Sequence, residues 1–215
     1  SEEHIIQLKL SILQYTDRLD GIINNAGVGL GGPVELLNVD DIRTLFDINV
    51  LGHIKMTQVF LPLLRKAEQG RVVFTGSVAG FLSLPLQSPY AASKFALRAF
   101  CDALRVELRS QNIRVSLIQP GMIKTPIWSK SPLAGIEEHP QADRYRTSIQ
   151  KSYALLRDGA KSSASVSIVI KAMNHALFSP FPKAKYLVGH DARLAYCARI
   201  LPTFLFDLIL IRFYL

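Results

Sequence analysis

A doubly wound α/β layer around a parallel sheet is the fold this sequence predicts, and two observations predict it. Short, continuously apolar runs recur along the chain and each closes near a glycine, as in strands buried on both faces of a parallel sheet. Between them lie longer stretches with helical period, so strand and helix alternate. Taken in order, Ser1–Tyr15 places Ile5, Ile6, Leu8, Ile12 and Leu13 at helical spacing. Gly21–Ile23 is the first apolar run and leads into Asn24-Asn25-Ala26-Gly27. A helix over Asp40–Leu64 is marked by Ile42, Leu45, Phe46, Ile48, Val50 and Leu51, with Asp40 and Asp41 at its positive N-terminus. Arg71–Thr75 is the second strand and leads into Gly76-Ser77. Phe95, Leu97, Phe100, Leu104 and Leu108 give Tyr90–Ser110 its helical stripe. Ile113–Ile118 leads into Pro120-Gly121, Ser165–Leu177 is a further helix, and a weaker strand, Lys185–Val188, ends at Gly189.

The chain's 215 residues, 49% of them hydrophobic, suit one domain spanning 1–215 with a sizeable core. Charged residues make up 20% and mean hydropathy is +0.21, which excludes a disordered or solvating chain. The balance of 25 basic against 17 acidic residues gives a net charge of +8. Such a balance suits nucleic acid, an anionic membrane or a phosphate-bearing cofactor. The basic residues are scattered, so nucleic acid is not expected as a partner. Cys101 and Cys197 lie far apart among apolar neighbours, which excludes a disulfide framework and fits a reducing compartment. His53, His139, His175 and His190 show no metal-ligand spacing, and no metal is expected. No signal-peptide pattern opens the stretch, so a cytoplasmic protein is expected.

In sheets of this kind chemistry gathers beyond the carboxyl ends of the strands. Ser77 follows its strand, Tyr90 comes thirteen residues later and Lys94 four after that. The i,i+4 spacing puts Tyr90 and Lys94 on one helix face. A free phenol, with a pKa of about 10, is a poor base at neutral pH, and a lysine cation one turn away favours the phenolate. Asn49 is a polar amide among apolar residues in mid-helix, and Ala26 and Gly27 allow a flat ring to approach the backbone. Singly, each has a bland reading: a helix-face tyrosine, a snorkelling lysine, a turn serine, a satisfied buried amide, and for Thr125 a helix N-cap. Their joint occurrence after strands of one sheet points to a single site.

With Asn-Asn-Ala-Gly at 24–27, Asn49, Ser77, Tyr-x-x-x-Lys at 90–94 and Pro-Gly-x-x-x-Thr at 120–125, the sequence resembles the short-chain dehydrogenase/reductase family. The specific motifs cover roughly residues 1–128, and Gly29–Leu37, Thr75–Gly80 and Ser93–Leu97 look most like the 17-beta-hydroxysteroid and retinol dehydrogenase branch. The resemblance implies a Rossmann-like sheet, NAD or NADP as cofactor, and a homo-oligomer, dimer or tetramer. It implies Tyr90 as general acid/base, Ser77 as donor to the substrate oxygen, and Lys94 as the residue that depresses the Tyr90 pKa and holds the nicotinamide ribose. Asn49 would support a water linking Lys94 to solvent. Asn24, Ala26, Gly27, Asn49, Tyr90, Lys94, Pro120, Gly121, Ile123 and Thr125 would line the cofactor. The family's opening strand, its glycine-rich phosphate turn and a second strand are not found here, so roughly 70–90 residues are expected to be absent upstream. Gly27–Gly32 is glycine-rich but leads to Pro33, so it reads as a loop and not as a phosphate cradle. On that reading the stretch by itself is expected to bind a dinucleotide weakly.

Two further segments are informative. Residues 126–161 are long, polar and mixed, with Trp128, Tyr145 and Tyr153, and read either as a substrate-selecting lid or as a surface loop. Residues 200–215 are strongly apolar but interrupted by Pro202, Asp207 and Arg212, and too short to span a bilayer, which takes about 20 residues. They read as a core or dimer-packing helix, or as one lying on a membrane surface beside Arg193, Arg199 and Arg212. Two function classes follow. One is an oxidoreductase acting on the alcohol, ketone or aldehyde of a lipophilic, steroid- or retinoid-like compound. The other is a catalytically silent packing or interaction module.

Overall fold

Val72 and Phe74 face one layer of helices while Val73, between them, faces the other, and all three are fully buried. This alternation is what the continuously apolar Arg71–Thr75 run encodes. In the computed structural model, which describes residues 2–125, 127, 136, 139–161 and 163–214, four parallel strands form one sheet. They are β1 (Gly21–Asn24), β2 (Gly70–Thr75), β3 (Ile113–Pro120) and β4 (Lys185–Val188), in spatial order 1-2-3-4. All four carboxyl ends therefore open on one rim.

Helix α1 (Glu2–Leu13) precedes β1, and α2 (Val39–Phe46) and α3 (Gly52–Leu64) connect β1 to β2. The long helix expected over Asp40–Leu64 is not regular. A π-helical turn, Asp47–Leu51, joins α2 to α3, and the Gly52 N–H reaches five residues back to the Asp47 carbonyl. Asn38 caps α2 by accepting from the Asp40 N–H at 2.9 Å. Helix α4 (Ser88–Glu107) crosses from β2 to β3, with Pro89 in its first turn. Leu97, Cys101 and Leu104 of α4 pack with Leu64, Phe74, Ile113, Val115 and Leu117 in one core layer. Helix α6 (Ser167–Phe178) covers the other face through Val169 and Ala176 against Val73, Ile118, Tyr186 and Val188.

Three expectations need correction. The first strand is not buried on both faces: Ile23 is 42% exposed, because β1 has a strand neighbour on one side only among the described residues. Residues 126–161 are not simply a loop, since α5 (Arg146–Lys161) occupies the second half after a 3₁₀ turn at Ala142–Tyr145. Pro126 and Trp128 lie outside the described residues. The apolar C-terminal segment forms α8 (Thr203–Tyr214), preceded by α7 (His190–Ala198). It is no core helix: Tyr214 is its one buried residue, while Phe204, Leu208, Ile211 and Phe213 are more than half exposed. Among the described residues no helix is long and apolar enough to cross a membrane.

Candidate active site

Tyr90 and Lys94 lie one turn apart on α4 and both are sunk beneath the carboxyl rim, at 5% and 4% exposure. The Lys94 ammonium lies 5.8 Å from the centre of the Tyr90 ring and donates at 3.0 Å to the Thr75 carbonyl, the last residue of β2. Two residues on, the Ser77 hydroxyl accepts from the Ala79 N–H at 3.1 Å and is also hydrogen-bonded to the Tyr90 side chain. The strand end thus places both the anchor for Lys94 and the partner of Tyr90.

The electrostatics differ from the expectation. Burial pushes the Tyr90 phenol above its ordinary value, and the Ser77 hydrogen bond is what pulls it back. Burial also lowers the Lys94 ammonium, from 10.5 to about 8, slightly opposed by Cys101. Lys94 is therefore a reluctant cation and Tyr90 a neutral phenol, with desolvation the largest influence on each.

Asn49 sits in the π turn and is fully buried. Its Oδ1 accepts from the Val28 N–H at 2.9 Å, and its Nδ2 donates to the Val28 carbonyl and to Ser93 Oγ at 3.0 and 3.1 Å. The amide's N–H groups are thereby spent on protein, and its side chain clamps the loop after β1. Two residues that the sequence motifs did not place at the site, His53 and Thr57, extend this clamp. His53 Nε2 meets the Ala26 carbonyl at 2.8 Å, and Thr57 Oγ1 accepts from Asn24 Nδ2 at 3.0 Å. Residues 49, 53 and 57 recur every helical turn, about 6.0 Å, while 24, 26 and 28 alternate along an extended segment, about 6.6 Å. The two rises match, so a buried polar stripe on the helix holds the β1 exit at three points. The readable signal was a polar residue at each i+4 step of an apolar helix.

The contact with the Ala26 carbonyl requires His53 to carry its proton on Nε2, and Nδ1 is buried without a partner. Burial, then the Lys94 cation, pull the His53 pKa from 6.5 to about 4, against the Ala26 contact. A folded pKa below the unfolded one means that stability is present above about 6.5 and is lost as pH falls toward 4. Between pH 7 and 5 this contributes a loss of about 2 kcal/mol. Urea unfolding at both pH values should show that increment in the wild type and not in His53→Gln; equal losses in both would remove His53 from the account.

Gly27 faces this centre. A Cβ there would lie 3.6 Å from Lys94 Nζ and 3.3 Å from Asn49 Oδ1, so its bare backbone leaves room for a flat ring above the ammonium. The glycine run beyond it is packed, not open. Gly32 has φ +139°, which favours glycine, its N–H donates to the Leu86 carbonyl at 2.7 Å, and a Cβ there would collide with Ile136. The segment was read as a loop, and it is one.

The Pro120–Thr125 group is spread along the end of β3. Asp191, near the start of α7, accepts from the Met122 N–H, and its carboxylate fills the space that a Cβ on Gly121 would take. Gly189, at φ +104°, makes the turn that brings Asp191 there. Asp191 is thus a third residue the motifs did not reveal, 69 residues from its partner. Ile123 turns its side chain into the core beside α6, leaving its backbone alone for a ligand, and Thr125 is exposed. Within residues 126–161 the Tyr145 hydroxyl donates to Glu35 at 2.6 Å, tying the 3₁₀ turn to the loop after β1, while Tyr153 is partly exposed.

A doubly wound parallel sheet with a buried tyrosine–lysine pair and its serine partner at the carboxyl rim defines a class of dinucleotide-linked α/β proteins. The sequence profile of short chain dehydrogenases matches residues 1–134, and the chain belongs to that family. It is 37% identical over 203 residues to human retinol dehydrogenase 16, covering 88% of this chain and 63% of that protein. It is 35% identical over 174 residues to human 17-beta-hydroxysteroid dehydrogenase type 1, covering 79% and 52%. A short-chain dehydrogenase from Streptomyces avermitilis superposes with a TM-score of 0.74 at 25% identity, covering 93% of this chain and 71% of that one. One from Burkholderia phymatum, in complex with NAD, has the same fold, with a TM-score of 0.70 at 24% identity over 92% and 70% of the two chains.

Proposed function

We propose that the protein is a nicotinamide-dependent oxidoreductase that interconverts an alcohol and its ketone or aldehyde on a lipophilic, steroid- or retinoid-like compound. The observation that supports it most is the buried Tyr90–Lys94 pair, with Ser77 hydrogen-bonded to Tyr90, beside the bare Gly27 backbone. Gly27, Tyr90, Lys94 and the backbone of Pro120–Ile123 would hold the dinucleotide, and Asn24, Ala26 and Asn49 would shape its cleft. When bound, the nicotinamide ring supplies the hydride acceptor or donor. Ser77 orients the substrate oxygen by a hydrogen bond. The Tyr90 hydroxyl gives its proton to that oxygen during reduction and takes it back during oxidation. A phenol held neutral by burial is set for the donating role, and the Lys94 charge stabilises the phenolate left behind.

The lipophilic substrate is supported by the relatives named for retinol and hydroxysteroids, and by the apolar outer surface of α8, which would seat on a membrane beside Arg199 and Arg212. A silent packing module is not favoured, because packing alone would not require a lysine to be buried at a cost to its charge. Purified full-length protein should bind NAD or NADP and change its nicotinamide absorbance with a hydroxysteroid or retinol. No change with either dinucleotide and any such alcohol or ketone, on folded protein, would refute the reading.

A further inference from the structure

Helix α7 adds little to the core, since Ala192 is its one buried residue. Two of its other side chains reach the two walls of the candidate site instead. Near its start, the Asp191 carboxylate accepts from the Met122 N–H on the exit of β3. Toward its end, the Tyr196 ring meets Phe81 edge-on, with ring centres 5.4 Å apart. Phe81 is buried and closes the 3₁₀ turn that follows Ser77. A short helix so placed braces the main chain that would line the dinucleotide against the turn that carries the serine.

The carboxylate is fitted to its place. A Cβ on Gly121 or on Gly189 would overlap it, so a glycine on each of two strand exits leaves it room. Among the described residues Asp191 has no cationic partner, so its charge is directed at a main-chain N–H, the stronger kind of hydrogen bond. The neighbouring amides are engaged as well. The Gly121 N–H donates to the Val188 carbonyl at 2.9 Å, and the Lys124 N–H to the Ala164 carbonyl at 3.0 Å. The Met122 carbonyl accepts from the Ala164 N–H at 3.0 Å, so the planar peptide it shares with Ile123 turns the Ile123 N–H the opposite way. In the run 121–124 that N–H alone has no protein partner among the described residues. We propose that Asp191 is a positioning residue for dinucleotide binding: by fixing the Met122 amide it holds this main chain so that the Ile123 N–H stays available to the cofactor. The proposal rests on the dinucleotide reading above and adds to it a residue that acts through Met122. A donor fixed before binding spares the ordering of a mobile segment, which would otherwise weaken affinity.

Titration of NAD and NADP into the full-length protein and its Asp191 variants by calorimetry tests it, with steady-state rates alongside. Asp191→Ala should weaken binding of the preferred dinucleotide at least about tenfold, its KM rising more than kcat falls. Asp191→Asn should stay within about threefold of wild type, because the amide oxygen can still accept from the Met122 N–H. A merely structural aspartate predicts a lower melting temperature with unchanged affinity in the folded variant. A carboxylate that acts only by its charge predicts the reverse sign, with both substitutions tightening an anionic cofactor. Should Asp191→Ala fail to fold, amide exchange in the wild type decides. The Met122 N–H should be protected before any dinucleotide is added, and protection gained only on binding would overturn the proposal. So would unchanged or tighter binding by Asp191→Ala, or an equal loss in Asp191→Asn. Failure of the wild type to bind either dinucleotide would refute the parent reading and this one with it, whereas wild-type binding that Asp191→Ala leaves unchanged refutes this one alone.

Discussion

Tyr90→Phe should lower turnover of the full-length protein by about 10²–10⁴-fold while leaving dinucleotide affinity within a fewfold of wild type. The side chain is 5% exposed, so a phenyl ring keeps nearly all its packing and loses one hydroxyl. That hydroxyl is bonded to Ser77, so on the proposed reading it would pass a proton to a substrate oxygen held by the same serine. Ser77 also caps its own turn through the Ala79 N–H, so its geometry survives the substitution. Steady-state rates separate the two quantities, and a variant within threefold of wild type would end the assignment of Tyr90 as the acid/base.

Lys94→Met should make the protein more stable at neutral pH and inactive. Burial holds the ammonium's pKa at about 8, below the 10.5 it has when unfolded. Between those values the unfolded chain binds the extra proton, so stability rises as pH goes from 8 to 10.5, and below 8 the whole cost of the buried charge is borne. That cost is about 3 kcal/mol, less about 1 kcal/mol for the Thr75 carbonyl that loses its donor. A gain of about 2 kcal/mol at pH 7 is the expected net. Chemical denaturation at pH 7 and 10 checks it. The wild type should gain stability with pH and the methionine variant should not; parallel curves would mean that the lysine is not the group under strain. A destabilising cation retained in the cleft is the mark of a residue kept for function.

The clamp on the β1 exit and the buried, neutral phenol share one property. Each depends on which residues of distant segments come into register. Strand and helix positions were readable because apolar period is local, and so was the Tyr90–Lys94 face, since one helical turn fixes its geometry. The Asn49 signal was readable as a polar residue in an apolar stretch, but its partner, Val28, was not, because the π turn that aims it leaves no period in the sequence. Asp191 could not be matched to Gly121 before β4 and α7 were seen folding back on β3.

By itself, then, the sequence determined the alternating α/β order, the strand ends where chemistry gathers, and the identity of the serine, tyrosine and lysine that meet there. Tertiary structure alone decided how deeply these are buried, and hence the sign of their electrostatics. Spacing measures the distance between two charges on one helix, but desolvation depends on everything packed around them. Here the packing of α4 beneath the end of β2 makes burial the larger effect for both Tyr90 and Lys94.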